Sequence, residues 1–212
     1  MKIIFWDWNG TLVNDAPALW QSFNDTVAGR GGSPVSFERY REMYRHPVRA
    51  MYEEVGVDLN SHAFEVIAAE WHDRYENLAR SLQLHHDVID TLTALKRGGK
   101  RQMVLSALPH DFLVTQVQRF GVAHFFEHVR GIPDQLAHSK VEQGQLLASR
   151  LGAVGDEITI IGDSTHDAEV ARGLNAGCLL VARGAESRTR LERHGYRVFE
   201  DFSEVTSLLH TM

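Results

Sequence analysis

Four short apolar runs punctuate the chain. They are Ile3-Ile4-Phe5-Trp6 (preceded by Lys2), Gln102-Met103-Val104-Leu105, Ile158-Thr159-Ile160-Ile161 and Cys178-Leu179-Leu180-Val181. Runs of this length without polar alternation predict strands covered on both faces, as in a parallel sheet. Helical periodicities lie between them. Val88, Leu92 and Leu95 recur at i, i+4, i+7 and stop at Gly98-Gly99, and Leu113, Val117 and Phe120 repeat the spacing after Pro109. Val141, Ala148 and Leu151 share a face behind Ser139, which pairs with Glu142 as a capping-box signature. Strands alternating with helices predict an α/β fold, a doubly wound parallel sheet with right-handed crossovers.

The interval from Asp15 to about His86 breaks the alternation and carries only helical signals. Asp15 is expected to cap a helix that holds Pro17 and the stripe Trp20, Phe23 and Val27. Ser36 opens a segment from Phe37 to Tyr44, and Pro47 opens another from Val48 to Val55. Phe64, Ile67, Trp71, Tyr75, Leu78 and Leu82 form a long stripe. Its aromatic residues, like Trp20 and Phe23, are expected to pack within the segment rather than to cage a ligand. A crossover needs only about a dozen residues, so these roughly seventy are an α-helical insertion. The expected division is a core of 1–14 and 86–212 and a cap of 15–85. An insertion placed after the first strand lands at the carboxyl edge of the sheet, where open α/β folds bind ligands.

Composition narrows the partners. At 43 % hydrophobic and 24 % charged residues the chain is globular rather than disordered. Its 22 basic and 28 acidic residues leave a formal charge of −6, and no basic block interleaves with aromatics, so nucleic acid and anionic membranes are not expected partners. A single cysteine, Cys178, makes no intrachain disulfide and fits a reducing compartment. Its apolar run points to packing rather than nucleophilic chemistry. The opening apolar run is too short for a signal peptide or a membrane span, so a cytoplasmic protein, monomer or homodimer, is expected. The histidines are scattered, and His85-His86 lacks the spacing of a zinc ligand set. No Gly-x-Gly-x-x-Gly or Walker-type loop occurs.

Candidate chemistry gathers at the strand ends. Asp7 follows the first run and Ser106 the second, Lys140 opens a helix, and Asp163 and Asp167 follow the third long run. Carboxylates on neighbouring strands form a hard oxygen site suited to Mg²⁺. A hydroxyl and an ammonium beside them supply the donors a phosphoryl group needs. Taken singly, Asp7 reads equally as a turn residue, Ser106 as a helix cap and Lys140 as a solvated first-turn lysine; together they point to one crevice.

The segment Asp7-Trp8-Asn9-Gly10-Thr11-Leu12-Val13 resembles motif I of the haloacid dehalogenase-like hydrolases. Leu105-Ser106 resembles motif II, Lys140 motif III, and Ile161-Gly162-Asp163-Ser164-Thr165-His166-Asp167 motif IV. The helical insertion is similar to the small α-helical cap of the phosphoglycolate phosphatase-like branch. The resemblance implies that Asp7 is the nucleophile, forming an aspartyl phosphate. It also implies that Mg²⁺ sits on Asp7, Asp163 and the Asn9 main-chain carbonyl, with Asp167 in support. Ser106 and Lys140 would hold the phosphoryl oxygens, and Thr11 would help fix the loop beside the substrate. In the cap, Arg45, His46 and Arg49 around Pro47 are candidates for binding an anionic substrate tail.

Position 9 departs from the pattern. The family's phosphatases carry there a second Asp, which protonates the leaving alkoxide and then deprotonates the attacking water; this chain has Asn9. Losing a general acid–base costs about 10²–10⁴-fold in rate. Three readings follow: a slow or selective phosphatase acting on small phosphorylated substrates, a phosphoryl-ligand-binding or regulatory protein with little turnover, and activation of a subpopulation by deamidation of Asn9-Gly10. In the first, His166 is a candidate replacement base, and Asn9→Asp is expected to raise turnover. Response-regulator receiver domains also combine a phosphorylated Asp, a hydroxyl and a Lys. Their acidic pair comes first and they lack a helical insertion, so the order of motifs here favours the hydrolase resemblance.

Overall fold

The computed structural model describes residues 3–45, 47–61, 63–132 and 140–211. Six parallel strands form one sheet in the order β3-β2-β1-β4-β5-β6. They are β1 (Ile3–Trp6), β2 (Arg101–Pro109), β3 (His128–Ile132), β4 (Ile158–Gly162), β5 (Gly177–Val181) and β6 (Arg197–Phe199). This is the doubly wound α/β architecture expected, and its strand order reverses on either side of β1. In such sheets the crevice beyond the carboxyl ends at the reversal is where ligands bind.

Side chains alternate across the sheet, as the pleat requires. Ile4, Trp6 and Val104 enter one apolar core with Leu92, Leu113 and Phe202, which belong to α5 (Val88–Arg97), α6 (His110–Arg119) and α10 (Phe202–Thr211). Ile3, Phe5 and Met103 enter the opposite core with Leu147, Val170 and Leu191, from α7 (Lys140–Leu151), α8 (Thr165–Leu174) and α9 (Arg188–Glu192). Both faces are covered, which is why the inner strands read as unbroken apolar runs. The edge strands β3 and β6 do not: their residues are mostly half-buried and include His128, Arg130 and Arg197, so no apolar run announces them. Cys178 lies buried in β5, and burial pushes its thiol well above the usual range.

Between β1 and α5 the chain forms α1 (Ala16–Gly29), α2 (Phe37–Met43), α3 (Arg49–Glu54) and α4 (Phe64–Ala79). These four surround a third apolar core of Phe23, Val27, Tyr40, Met51, Tyr52 and Ile67, together with Ala185 from the loop after β5. The two passages joining this segment to the sheet run side by side: Asn14 N–H donates to Gln83 O at 2.9 Å and His85 N–H to Leu12 O at 3.0 Å. Ser36 caps α2 as expected, accepting from Arg39 N–H at 3.2 Å. Ser139, of the expected capping box, and His46 lie outside the described residues.

Candidate active site

Asp7 is the first residue beyond β1. Its N–H still donates to Ile161 O at 2.8 Å, so the carboxylate leaves the sheet at a fixed height beside β4. The chain then turns sharply: Leu12 and Val13 N–H both donate to Trp8 O at 2.9 Å, and Gly10 takes φ +74°. A Cβ at Gly10 would fall 2.2 Å from Asp163 Oδ2, so glycine here serves both the left-handed turn and the close approach of the second carboxylate.

Asp7, Asp163 and Asp167 each offer an oxygen within 4.8 Å of the others, and all three are buried. Lys140, at the first turn of α7, reaches between two of them, donating to Asp7 Oδ1 at 2.5 Å and Asp167 Oδ1 at 2.6 Å. Asp167 Oδ2 accepts from Ser164 N–H and O–H at 3.1 and 2.7 Å, so both of its oxygens are engaged and it works as a brace for Lys140. Thr11 O–H donates to Asp163 Oδ1 at 2.7 Å. Burial, opposed by Lys140, pushes the Asp7 carboxyl up to about 6. Burial and then the Asp7 and Asp167 charges drive Asp163 well above the usual carboxylate range. Burial works to lower the Lys140 pKa, but Asp167 and Asp7 outweigh it and hold the ammonium charged. Three carboxylates thus face one ammonium, an excess of buried negative charge on hard oxygen donors. That donor set fits a divalent cation such as Mg²⁺.

Ser106 sits where the β2–β3 register slips between Leu105 and Pro109. The irregularity bends β2 and turns Ser106 Oγ to accept from Leu108 N–H at 3.2 Å. The alternative reading of Ser106, as cap of the following helix, is not what forms: the residue at that cap is Pro109.

Asn9 turns away from this cluster. Its Nδ2 donates to Asp15 Oδ2 at 2.6 Å and to Tyr75 Oη at 3.0 Å, and Tyr75 O–H donates to Asp15 Oδ2 at 3.1 Å. Asn9 Oδ1 and Asp15 Oδ1 are buried without a hydrogen-bond partner. Asp15 precedes α1 as expected, yet its side chain caps nothing, because Asn9 and Tyr75 hold it. Burial pushes its carboxyl up, against the pull of those two donors.

A cavity of about 640 Å³ connects these parts, lined by Asp7, Asn9, Asp15, Ser106, Lys140 and Asp163 and walled on the helical side by Leu19, Tyr44, Trp71 and Tyr75. A family model described as haloacid dehalogenase-like hydrolase matches residues 3–181.

The chain belongs to the haloacid dehalogenase-like hydrolases. It is 25 % identical over 211 residues to a phosphoglycolate phosphatase of Rhodobacter capsulatus, covering 97 % of this chain and 95 % of the relative. It is 29 % identical over 205 residues to an N-acetylmuramic acid 6-phosphate phosphatase of Pseudomonas aeruginosa, covering 95 % and 85 %. A haloacid dehalogenase-like protein from Streptococcus pneumoniae superposes with TM-score 0.76 at 19 % identity, covering 99 % of this chain and 98 % of that one. A hydrolase of the same family from Deinococcus radiodurans, solved with bound phosphate and sodium, superposes with TM-score 0.75 at 18 % identity, covering 100 % and 96 %.

Within this hydrolase two sequence expectations need correction. Arg45 and Arg49 do not line the cavity: Arg45 pairs with Glu54 at 2.7 Å and donates to Met43 O, and Arg49 pairs with Glu53 at 3.3 Å. Four-residue spacing on a short helix supplies Glu53 to Arg49, and the last residue of the same helix, Glu54, holds Arg45. Thr11 commits its hydroxyl to Asp163 rather than to a substrate. Trp71 packs against the apolar core of the helical segment as expected and Tyr75 against the core beside the sheet; both also line the cavity, stacked on each other at 5.3 Å. His166 does line the cavity but is exposed and pairs with Glu169 at 3.2 Å.

Sequence reading also missed Arg183. It donates to Thr11 O at 2.7 Å, forms a two-pronged pair with Asp87 at 2.8 and 2.9 Å, and lies 3.6 Å over the Phe202 ring. His85 Nε2–H donates to Gly10 O at 3.3 Å; burial, aided by Arg183, lowers its pKa to about 4 and keeps the ring neutral. No local signal marks either as a support of the loop after Asp7, since each reaches it from a distant part of the chain.

Proposed function

We propose that this hydrolase is a Mg²⁺-dependent phosphatase of small phosphorylated metabolites that works through a phosphoryl group carried on Asp7. The observation that carries the reading is the buried Asp7–Lys140–Asp167 chain beside Asp163, at the carboxyl end of the central strand. Two relatives named as phosphatases support it. Residues 1–14 and 86–212 act as the core, and 15–85 as a cap that closes the cavity.

In the first half-reaction, a carboxylate oxygen of Asp7 forms a bond to phosphorus as the bond from phosphorus to the leaving oxygen breaks. Lys140 holds Asp7 Oδ1, which orients the carboxylate, and with the Ser106 hydroxyl it receives the phosphoryl oxygens. Asp7, Asp163 and the Asn9 main-chain carbonyl would hold Mg²⁺, which when bound neutralises charge on the phosphoryl oxygens. In the second half-reaction water attacks phosphorus and Asp7 is regenerated as carboxylate. Asn9 neither gives nor takes a proton in either half, and its amide is already committed to Asp15 and Tyr75. An acyl phosphate departs as a carboxylate and needs no proton, whereas an alkoxide does. Turnover of alkyl esters is therefore slower, by about 10²–10⁴-fold, than that of a relative with a titrating group at this position.

The test is phosphate release from acetyl phosphate and a panel of small esters, with Mg²⁺ present or chelated and with Asp7→Asn as the blank. The proposal expects release that disappears on chelation and in the blank, with acetyl phosphate fastest. Release equal to the blank on every compound would leave a phosphoryl-binding protein instead.

A further inference from the structure

Asp163 Oδ2 stands between two glycines. A Cβ added at Gly10 would fall 2.2 Å from it, and one at Gly184 only 1.7 Å. Gly184 is not in the left-handed region, so what it supplies is space. The main chain of the loop after β5, residues 182–187, lies directly against the carboxylate. The same loop reaches Asp163 by two further routes. Arg183 donates to Thr11 O at 2.7 Å, and Thr11 O–H in turn holds Asp163 Oδ1 at 2.7 Å. Glu186 Oε1 accepts from Thr165 N–H and O–H, both at 3.0 Å, two residues past Asp163. A shift of this loop would carry Asp163 with it or collide with it.

The helical segment grips the loop from the other side. Residues 182–187 belong to no helix or strand, so tertiary contacts rather than a hydrogen-bond ladder decide their path. Arg41, on α2, supplies those contacts. Its Nη2 donates to Ala182 O at 2.6 Å and to Glu186 O at 3.0 Å, near the two ends of the loop, and its own carbonyl accepts from Ser187 N–H at 3.1 Å. Between these points Ala185 enters the apolar core of the helical segment. One side chain of α2 therefore closes the loop whose middle presses on Asp163.

We infer that Arg41 is a positioning residue for the metal site: through the loop after β5 it sets where the Asp163 carboxylate stands, so that divalent-cation affinity and the docking of the helical segment on the sheet are coupled. This rests on the Mg²⁺-dependent reading above and adds a residue outside the acidic cluster that governs it. Coupling of this kind is reciprocal, so the cation must also steady the helical segment.

The experiment measures metal affinity rather than turnover. Free Mn²⁺ is read by electron paramagnetic resonance during titration, and competition gives the Mg²⁺ affinity, for wild type, Arg41→Met and Arg119→Met, with Asp163→Asn as the blank. Arg119 is the control: from α6 it donates to Ala79, Arg80 and Leu82 O at 3.2, 2.9 and 3.0 Å, tying the helical segment down at the end of α4 and not at the loop after β5. Arg41→Met is expected to weaken Mg²⁺ binding by at least about fivefold, the lower end of typical coupling, and Arg119→Met by less than about twofold. Equal affinity in wild type and Arg41→Met, or equal loss in the two arginine variants, would overturn the inference. A second arm needs only wild type: Mg²⁺ is expected to slow amide exchange in α2 more than in α6, and equal effects or none would overturn the inference whether or not Arg41→Met folds. Wild type that binds Mn²⁺ no better than Asp163→Asn overturns the metal reading together with this inference, whereas metal bound alike by wild type and Arg41→Met overturns this inference alone.

Discussion

Asn9 holds both of its contacts through one nitrogen, to Asp15 and to Tyr75, so its carboxamide is an anchored donor whose oxygen is left unmatched. This changes what Asn9→Asp should do. A new carboxylate would stand where Nδ2 now donates to Asp15 Oδ2 at 2.6 Å, and two carboxylates that close do not both ionise. Their shared proton raises a folded-state pKa above the unfolded value. The penalty is therefore absent at low pH and appears as pH climbs from about 4 through the raised value. Thermal unfolding of Asn9→Asp is expected to fall behind wild type as pH rises across that window, and Asn9→Asp/Asp15→Asn to recover it. The double variant, more than the single one, should then show the gain in turnover expected of a titrating group at position 9. An Asn9→Asp curve parallel to wild type at all pH values would mean that Asp15 and position 9 do not meet. Asp7, Ser106, Lys140, Asp163 and Asp167 were readable in the sequence because each follows an apolar run or opens a helix. Asp15 read as a cap and Tyr75 as one member of a stripe, since their meeting with Asn9 is a tertiary event.

Among the elements, the inner strands were legible for the same reason that they are stable: both faces are buried, so every position is apolar. The edge strands β3 and β6 pair with a neighbouring strand on one side only, are mostly half-buried and carry charged residues, which removes the signal. The joint between elements that matters most was also silent. Arg183 ties the loop after β5 to Thr11 O, to Asp87 at the start of α5 and to the Phe202 ring on α10. Removing one partner of a buried ion pair costs about 3–5 kcal/mol, so Arg183→Met is expected to lower the unfolding free energy by that order in urea titrations. Asp87 gives the matching pH signature. Burial alone would raise its carboxyl, but the Phe202 N–H and Arg183 hold it below the usual range. A depressed folded-state pKa contributes stability above the unfolded value of about 3.9 that is lost as pH falls through the folded one. Acid unfolding of Asp87→Asn is expected to be flatter than wild type below about pH 4; identical slopes would show that the pair is not what links pH to folding there.

At the scale of the whole molecule, the helical segment has its own apolar core and is tied to the sheet by several contacts, three of them beside the cavity. Ala185 enters that core, Arg41 donates to Ala182 O at 2.6 Å and Glu186 O at 3.0 Å, and Tyr75 meets Asn9 and Asp15 over the cavity. No helix among the described residues is long and apolar enough to cross a membrane. Tyr75→Phe removes one tie at a cost of about 1 kcal/mol. In a chain of this size that lowers Tm by about 2–4 °C, measurable by differential scanning fluorimetry. The same substitution leaves the Asn9 amide a single partner.

The central claim is that Asp7 carries the phosphoryl group and that Asn9, unable to deprotonate water, slows its removal. Peptide mass spectrometry of wild-type protein, acid-quenched while turning over acetyl phosphate with Mg²⁺, tests it directly. The account predicts one phosphoryl group on the peptide containing Asp7, accumulated in the steady state and absent from Asp7→Asn. Phosphate released while no phosphorylated peptide forms, or phosphorylation that persists in Asp7→Asn, would contradict it.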